Sequence, residues 1–306
     1  MPRPSRAFPT ALFALLVAGC SPSSSASVAG TAAASSATAS SPTATSAIDP
    51  LAACPSSQTF ASLTTVAHQS AADDIAVASD GSLWISDAQS TLVHVSASGA
   101  VLQQIDDPRA PEGIAVLGNG TLLVAEQGPD RIVQLQPATQ HETTLLQLTP
   151  RAGAEGVDGI GYDVTTNSVL VPDSPNGTLL EVSLTTRTET RLAAGLGRPV
   201  GAAALPDGRI VVSAEDESGL LVVPKGGGTA TPLGSVVQGD DVVVVRGVVY
   251  VTSLGSGRVL AVNPANGSTV TLVDHVSMPQ GLAVLGATRL AVADSSSGSV
   301  AAFNGC

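Results

Sequence analysis

Short runs of aliphatic residues alternate with polar turns along most of the chain. The turns are rich in Gly, Asn and Asp, as in the Gly-Asn-Gly of residues 118–120. Gly and Asn accept the positive φ of hairpin turns at little cost, so each such turn predicts two antiparallel strands around it. The spacing leaves no room for helices of ordinary length. The pattern therefore predicts an all-β domain.

The aliphatic runs repeat along the chain with a steady period. A Gly or Asp followed by aliphatic residues occurs six times, at spacings of 39, 46, 42, 40 and 40 residues. The six starting residues are Asp74, Gly113, Gly159, Gly201, Asp241 and Gly281. A period near 40 with short strands is typical of propeller blades. We therefore predict a six-bladed β-propeller with four strands, A to D, in each blade.

The two ends of the repeat region predict how the ring closes. The sixth unit stops after its third strand, at Phe303, while an unassigned strand-like run, residues 59–67, precedes the first unit. We expect residues 59–67 to supply the outer strand of the last blade, because closure removes exposed sheet edges. Closure would bring Cys54 and Cys306 to the same end of that blade. We expect them to form a disulfide in an oxidising compartment.

The first residues of the chain predict export. Residues 1–19 contain Arg3 and Arg6 and then a short apolar run, residues 11–18. This run is too short for a spanning helix, which needs about 20 residues, and it fits the core of a signal peptide. It ends in Val-Ala-Gly-Cys, which resembles the bacterial lipobox and implies lipid on Cys20. The alternative is an ordinary secretory signal that contains a cysteine.

A tether is predicted between the signal and the propeller. Residues 20–48 are mostly Ser, Ala, Thr, Gly and Pro, which cannot bury enough apolar surface to fold. The folded domain is therefore expected over residues 49–306. Together these features predict a lipoprotein of the bacterial envelope, on its periplasmic or surface face. Ser21 directly after the cysteine implies outer-membrane sorting, by resemblance to the known rule.

Charge limits the partners of the domain. The formal net charge is −12. A basic surface for nucleic acid is absent, so nucleic-acid binding is not expected. The acidity fits cations or cationic ligands better.

Acidic residues concentrate where strand A begins and where strand B ends. In a propeller these two loops open on one face around the central channel, so we predict a crown of carboxylates there. The innermost members of the predicted crown are Asp74, Glu112, Asp158 and Asp241. Such a crown is a candidate site for Ca²⁺ or another divalent cation, or for acid–base chemistry. The acids after strand B, such as Asp87 and Asp294, are expected to bond their own loops instead.

The unit "PEGIAVLGNGTLLVAEQGPDRIVQL", residues 111–135, resembles the NHL-type repeat. The whole of residues 59–306 resembles the six-bladed propellers of the NHL, regucalcin/gluconolactonase and strictosidine-synthase-like group. That group includes hydrolases, lyases and binding modules. The resemblance to gluconolactonase implies one divalent metal held by a Glu, an Asp and two Asn. Glu112 matches the Glu, Asp241 or Asp158 matches the Asp, and the Asn pair is missing.

Other catalytic signatures are missing from the sequence. The four histidines have no metal-ligand spacing, and there is no His-x-Glu-x-His cluster, Gly-x-Ser-x-Gly elbow or phosphate loop. The sequence therefore favours a lipid-anchored envelope propeller that binds a small-molecule or protein ligand at its acidic face. Its one candidate cofactor is Ca²⁺ or a similar cation. The alternative is a divalent-metal-dependent hydrolase of the gluconolactonase class with its site at the acidic channel mouth.

Overall fold

The structure is a computed structural model that describes residues 49–88 and 90–306. These residues form β-strands and three short 3-10 turns, Pro50–Ala53, Phe60–Ser62 and Ser174–Asn176. Within these ranges no helix is long and apolar enough to cross a membrane. The predicted signal peptide, the lipid on Cys20 and the tether of residues 20–48 lie outside the described residues.

The strands follow the predicted repeat. Two strands precede it, β1 (Gln58–Thr59) and β2 (Thr64–His68). Blade 1 contains β3 (Ala72–Val77), β4 (Leu83–Asp87), β5 (Thr91–Val95) and β6 (Val101–Asp106). Blade 2 contains β7 (Pro111–Val116), β8 (Leu122–Glu126), β9 (Arg131–Gln136) and β10 (His141–Gln147). Blade 3 contains β11 (Gly161–Asp163), β12 (Ser168–Asp173), β13 (Thr178–Ser183) and β14 (Glu189–Ala194).

The second half of the ring repeats this order. Blade 4 contains β15 (Pro199–Ala204), β16 (Ile210–Ala214), β17 (Leu220–Val223) and β18 (Thr231–Leu233). Blade 5 contains β19 (Gly239–Val245), β20 (Val248–Ser253), β21 (Arg258–Val262) and β22 (Thr269–Asp274). Blade 6 contains β23 (Pro279–Val284), β24 (Arg289–Asp294) and β25 (Ser299–Asn304). The structure is thus the predicted six-bladed β-propeller, with antiparallel four-stranded blades.

The A strands surround the central channel and contact one another from blade to blade. Strand β23 of blade 6 packs against β3 of blade 1, which closes the ring. The apolar core is divided into six clusters, each between two neighbouring blades. Between blades 1 and 2, for example, Trp84 and Leu92 pack with Val124 and Val133. Both faces of the inner strands are therefore buried, which explains their continuous rather than alternating apolar sequences.

Ring closure agrees with the prediction in its main feature and differs in detail. Strand β2 pairs antiparallel with β25 and completes blade 6, with Thr64 opposite Ala302. The prediction of one strand over residues 59–67 is wrong at its start. Strand β1 instead pairs parallel with β22 and adds a fifth strand to blade 5. The turn Phe60–Ser62 carries the chain between the two blades, where Phe60 packs into their shared cluster.

The predicted disulfide is present between Cys54 and Cys306, which are 252 residues apart in sequence. Both half-cystines pack against the cluster between blades 5 and 6, which also buries Leu51. Asn263 donates a hydrogen bond from Nδ2 to Asp49 Oδ1 at 3.1 Å. The first described residues are thus fixed to the face that carries the A–B and C–D turns, called here the hairpin face. The opposite face, where strand A begins, is called the crown face.

Candidate functional site

A β-bulge near the start of strand A positions the acidic residues. The pairing of strands A and B shifts by one residue there in blades 1, 2, 4, 5 and 6. In blade 1 the shift lies between Ala72 and Ile75. Bulges re-aim side chains, so the residues within them lie at the channel rather than in the regular sheet alternation.

Two successive positions recur at this place in every blade. The first position holds Asp73, Glu112, Asp158, Val200, Asp240 and Gln280 in blades 1 to 6. The second position holds Asp74, Gly113, Gly159, Gly201, Asp241 and Gly281. The predicted crown therefore mixed two positions. Glu112 and Asp158 lie at the first position, as do Asp73 and Asp240, and we call these four acids the crown. Asp74 and Asp241 lie at the second position.

Close packing between A strands explains the glycines at the second position. A Cβ on Gly113 would lie 2.6 Å from the Ile160 backbone nitrogen, and one on Gly159 would lie 2.4 Å from the Val200 carbonyl oxygen. Neither distance leaves room for a side chain. The second position is thus where neighbouring blades touch at the channel.

Asp74 and Asp241 replace this backbone contact with hydrogen bonds. The Asp74 carboxylate accepts from the backbone N–H of Ile75 and of Ile114, both at 2.7 Å. Asp241 accepts in the same way from Val242 at 2.7 Å and from Leu282 at 2.6 Å. Each carboxylate therefore joins its own strand to the next blade, which sequence reasoning did not anticipate.

The crown carboxyls are buried and close together, so they resist ionisation. Burial and the negative charge of Asp73 raise the pKa of Glu112 to about 12. The Asp73 and Glu112 carboxyls hydrogen-bond to each other, which requires a shared proton. Burial and the charges of Asp158 and Asp73 hold the pKa of Asp240 well above its usual range. The crown is therefore partly protonated near neutral pH.

Arg198 supplies a positive charge to the crown. Its guanidinium lies 3.2 Å from Asp158 Oδ2 and 3.0 Å from Glu155 Oε2, and it also pairs with Glu215. Burial and the charge of Asp73 raise the pKa of Asp158 to about 7, although Arg198 opposes the shift. A pKa of about 7 lets Asp158 gain and lose its proton at physiological pH.

The described residues form no ready-made cluster of ligands for a divalent metal ion. No group of three or more His, Cys, Asp or Glu within residues 49–88 and 90–306 is placed to hold one. The oxygens of Asp74 and Asp241 each accept a backbone N–H, and Asp73 and Glu112 bind each other. The predicted ligand set of Glu112, Asp158, Asp241 and Asp74 is therefore divided. Asp74 and Asp241 bond the backbone, Glu112 bonds Asp73, and Asp158 pairs with Arg198.

Two acids at the end of strand B bond their own loops, as predicted. Asp294 accepts from Ser297 Oγ and also from the Met278 backbone N–H, both at 2.9 Å. Asp173 accepts from Asn176 Nδ2 at 2.9 Å.

Other acids at this place contact residues outside their own loop. Asp87 accepts from Gln69 Nε2 at 3.3 Å, in the segment before β3. Glu215 pairs with Arg198.

Below the crown the channel narrows to a waist. A void of about 10 Å³ lies there, bordered by residues of both bulge positions. By this measure a single water needs roughly 10–15 Å³, so the waist admits about one water molecule. The waist is therefore too small to hold a ligand larger than water.

Beyond the waist the channel widens into a cavity of about 1110 Å³, called here the channel cavity. It is lined by the A strands and reaches the hairpin turns of blades 3, 4 and 5. Its aliphatic lining includes Ile75, Ile114, Val116, Ile160, Val242 and Leu282. It also extends outward between blades 3 and 4, past Leu170 and Leu192. Strand β11 is only three residues long, and β15 ends in three alanines, so little side-chain volume fills this region.

Charged groups of the channel cavity are divided between its inside and its mouth. Asp74 and Asp241 lie at its inner end, since they border both the waist and the cavity. Glu181 is half-buried on the wall. Arg246 and Lys225 are exposed at the mouth. Sequence reasoning missed this cavity, although the small residues of β15 are a signal that could have indicated it.

One histidine stacks on the tryptophan of blade 1. His94 is half-buried on β5, and its ring lies on that of Trp84 with ring centroids 4.5 Å apart. Its Nε2 is also 2.7 Å from Ser82 Oγ. Trp84 is buried in the core between blades 1 and 2, away from the crown.

Comparisons with known proteins support the fold and leave the activity open. No protein-family model matches the chain. No curated protein matches its sequence at a significant level. A gluconolactonase from Xanthomonas campestris is similar in structure, with a TM-score of 0.66, 17% identity, and coverage of 80% of this chain and 89% of that one.

Two further solved structures share the architecture. Regucalcin from Agrobacterium tumefaciens, a calcium-binding protein, has a TM-score of 0.64 at 16% identity, over 76% of this chain and 89% of its own. Virginiamycin B lyase from Staphylococcus aureus has a TM-score of 0.60 at 14% identity, over 75% of this chain and 79% of its own. At these identities the likeness shows the propeller fold alone.

Proposed function

We propose that the protein is a ligand-binding propeller of the bacterial cell envelope, held there by lipid on Cys20. The observation that supports binding is the channel cavity of about 1110 Å³. Small-molecule sites are typically cavities of roughly 300–1,000 Å³ with apolar walls and a few polar groups. The channel cavity has this character, and the hairpin turns around its mouth leave it accessible from solvent.

The arrangement favours binding over catalysis. Asp74 and Asp241, the acids deepest in the channel cavity, are each held by two backbone N–H groups. Their oxygens are therefore held in fixed positions at the inner end of the cavity. The crown acids do not line the channel cavity; three of them, Asp73, Asp158 and Asp240, border the waist instead.

Filling the channel cavity tests the proposal. Nile red, an uncharged dye whose emission shifts to the blue in apolar surroundings, should bind the wild-type domain. The substitution Ala203→Phe places a ring in the cavity, because Ala203 lines it, and dye binding should fall at least tenfold. Ala138→Phe, on an exposed turn of blade 2, should leave dye binding unchanged. Dye binding that is absent, or equal in all three proteins, would contradict the proposal.

Localisation needs a separate experiment. Fractionation of cells expressing the full chain should place the protein with membranes. Cys20→Ala should release it or leave its precursor uncleaved, because the acyl anchor cannot form. Unchanged membrane partition of Cys20→Ala would contradict the lipid anchor while leaving the cavity proposal intact.

The second candidate function is a metal-dependent hydrolase with its site at the crown. Its support is the structural similarity to gluconolactonase and the pKa of Asp158, raised to about 7, which suits a general acid or base. Hydrolysis of glucono-lactone should be measured with Ca²⁺, Mn²⁺ and Zn²⁺ and with chelator. Activity that requires metal and is lost in Glu112→Gln and Asp158→Asn would replace the binding proposal.

A further inference from the structure

We infer that the channel cavity selects an amphipathic cation, meaning an apolar body that carries an ammonium-type group. This inference rests on the proposed function, because it concerns the same cavity. It adds the chemical class of the ligand and the end of the cavity that recognises its charge.

The charged side chains inside the cavity are acidic. Asp74 and Asp241 lie at its inner end and Glu181 lies on its wall, and none of the three has an ion-pair partner among the described residues. The basic groups, Arg246 and Lys225, are exposed at the mouth. Charges in buried surroundings act more strongly than charges that water screens. The interior of the cavity therefore favours a positive group.

The crown acids add to the preference of the cavity for a positive group. The crown has four acidic side chains, Asp73, Glu112, Asp158 and Asp240, and Arg198 pairs with only one of them, Asp158. Charges of one sign along a channel with low-dielectric walls add up on its axis. A cation at the inner end of the cavity thus feels both the second-position acids and the ionised part of the crown.

The second-position acids also offer free hydrogen-bond capacity. Each oxygen of Asp74 and of Asp241 accepts one backbone N–H, which leaves a further lone pair on each. An ammonium group has three N–H donors. Burial and the charge of Asp241 hold the pKa of Asp74 well above its usual range, so a cation between them would also relieve their repulsion.

The aliphatic walls of the channel cavity provide a binding surface for the apolar part of the ligand. The aliphatic lining of the A strands surrounds the axis, and the extension between blades 3 and 4 is lined by Leu170, Leu192 and Ile210. A ligand with its ammonium at the waist therefore directs its apolar body toward this extension and the mouth. A purely ionic ligand would leave these walls in contact with water.

A matched series of probes tests the inference on the wild-type domain. Calorimetry should compare n-octylamine, n-octanol and n-octanoate, which share one apolar body and differ in charge. We expect the amine to bind about tenfold or more tightly than the alcohol, as for a buried charge-assisted hydrogen bond. Octanoate should bind more weakly than the alcohol. Equal binding of amine and alcohol, or tighter binding of octanoate, would overturn the inference and leave the proposed cavity function standing.

Failure of the proposed function gives a different result, because then none of the three probes binds. Substitutions locate the charge. Asp241→Asn should bring the affinities of amine and alcohol to within about threefold of each other. Unchanged octanol binding would show that the variant is folded.

A second pair of variants covers the case in which Asp241→Asn does not fold. Glu181→Gln removes a cavity carboxylate that has no hydrogen bond among the described residues, and it should weaken amine binding about twofold to threefold. Glu189→Gln makes the same change on the exposed outer strand of blade 3 and should leave amine binding unchanged. Equal effects of Glu181→Gln and Glu189→Gln would contradict recognition inside the cavity.

Discussion

At the scale of single residues, the second bulge position shows how little space separates the blades at the channel. Four blades have glycine there, and two have an aspartate whose carboxylate bonds the next strand. The same backbone position thus joins the next blade either by direct backbone contact, as at Gly113, or through a carboxylate. Which of the two occurs depends on one residue.

Gly113→Ala should destabilise the domain by about 1–3 kcal/mol, because its Cβ would overlap Ile160 and Gly159 of the next blade. Urea unfolding would measure the change. Gly118→Ala is the matched control, since nothing lies within 4 Å of its added Cβ, and its effect should stay within about 0.5 kcal/mol. Equal unfolding midpoints for the two variants would show that the close approach of the A strands is relaxed in solution.

The stacked pair of Trp84 and His94 gives a residue-scale prediction that needs no ligand. Burial lowers the pKa of His94 below its usual value of 6.5, against the opposing charge of Asp80. A protonated imidazole quenches indole emission on contact, and Trp84 is the single tryptophan of the chain. Emission should therefore decrease as pH falls, with a midpoint below 6.5. His94→Gln should abolish this step and His141→Gln should retain it, and a step that survives in His94→Gln would contradict the stacking.

At the scale of the element, the bulged A strand is the unit that builds the site. A bulge places two successive residues at the channel where regular pairing would place one. The hydroxyl of Ser86 accepts from the Asp74 backbone N–H, and Thr252 accepts in the same way from Asp241, both at 2.9 Å. At the bulge the backbone N–H of strand A has no partner in the regular pairing of strands A and B. A side-chain hydroxyl of strand B accepts its hydrogen bond instead.

Crowding of acids on these bulges predicts an unusual pH dependence. Their pKa values are raised, so the folded state binds more protons than the unfolded state at neutral pH, and stability falls as pH rises. The stability is fully present below about pH 4 and is lost through the pKa values of Asp241, about 6, and Asp158, about 7. The free energy of unfolding should be lower at pH 8 than at pH 5, on the order of 1–3 kcal/mol.

Urea unfolding at constant ionic strength would measure this slope. Asp158→Asn removes one titrating group and should flatten it, whereas Glu155→Gln, an exposed neighbour on the same Arg198, should flatten it less. A free energy of unfolding that rises from pH 5 to pH 8 would mean that the crown ionises normally.

The repeat made most strands predictable, because both faces of each inner strand are buried and their sequences are continuously apolar. The bulges were not predictable in the same way. A register shift depends on which residue of strand B faces which residue of strand A, and Asp73 and Asp74 look equivalent in sequence. The channel cavity is harder still, since it results from side chains that are small in β15 and from a short β11.

At the scale of the whole molecule, the ring is closed by three devices close to one another. Strand β2 completes blade 6, β1 extends blade 5, and the disulfide Cys54–Cys306 joins the segment before β1 to the residue after β25. The first two depend on hydrogen bonds that survive reduction. The third restricts the unfolded chain.

Removing the disulfide should therefore lower stability without abolishing the fold. The chain-entropy estimate for a loop of this length is about 5 kcal/mol, with measured effects often smaller. Thermal unfolding of Cys54→Ser/Cys306→Ser should show a lower Tm and a far-UV spectrum like that of the wild type. The Tm of the wild type should drop to that of the variant on addition of reductant, and an unchanged Tm would mean that closure does not need the bond.

The waist has a kinetic consequence for anything that enters the channel. The waist holds only about one water molecule, so we expect a ligand to enter and leave the channel cavity at the hairpin face. The ligand then leaves past the same hairpin turns by which it entered. The residence time of the ligand then depends on this one opening, and a large molecule bound across the hairpin face would keep the ligand inside the channel cavity.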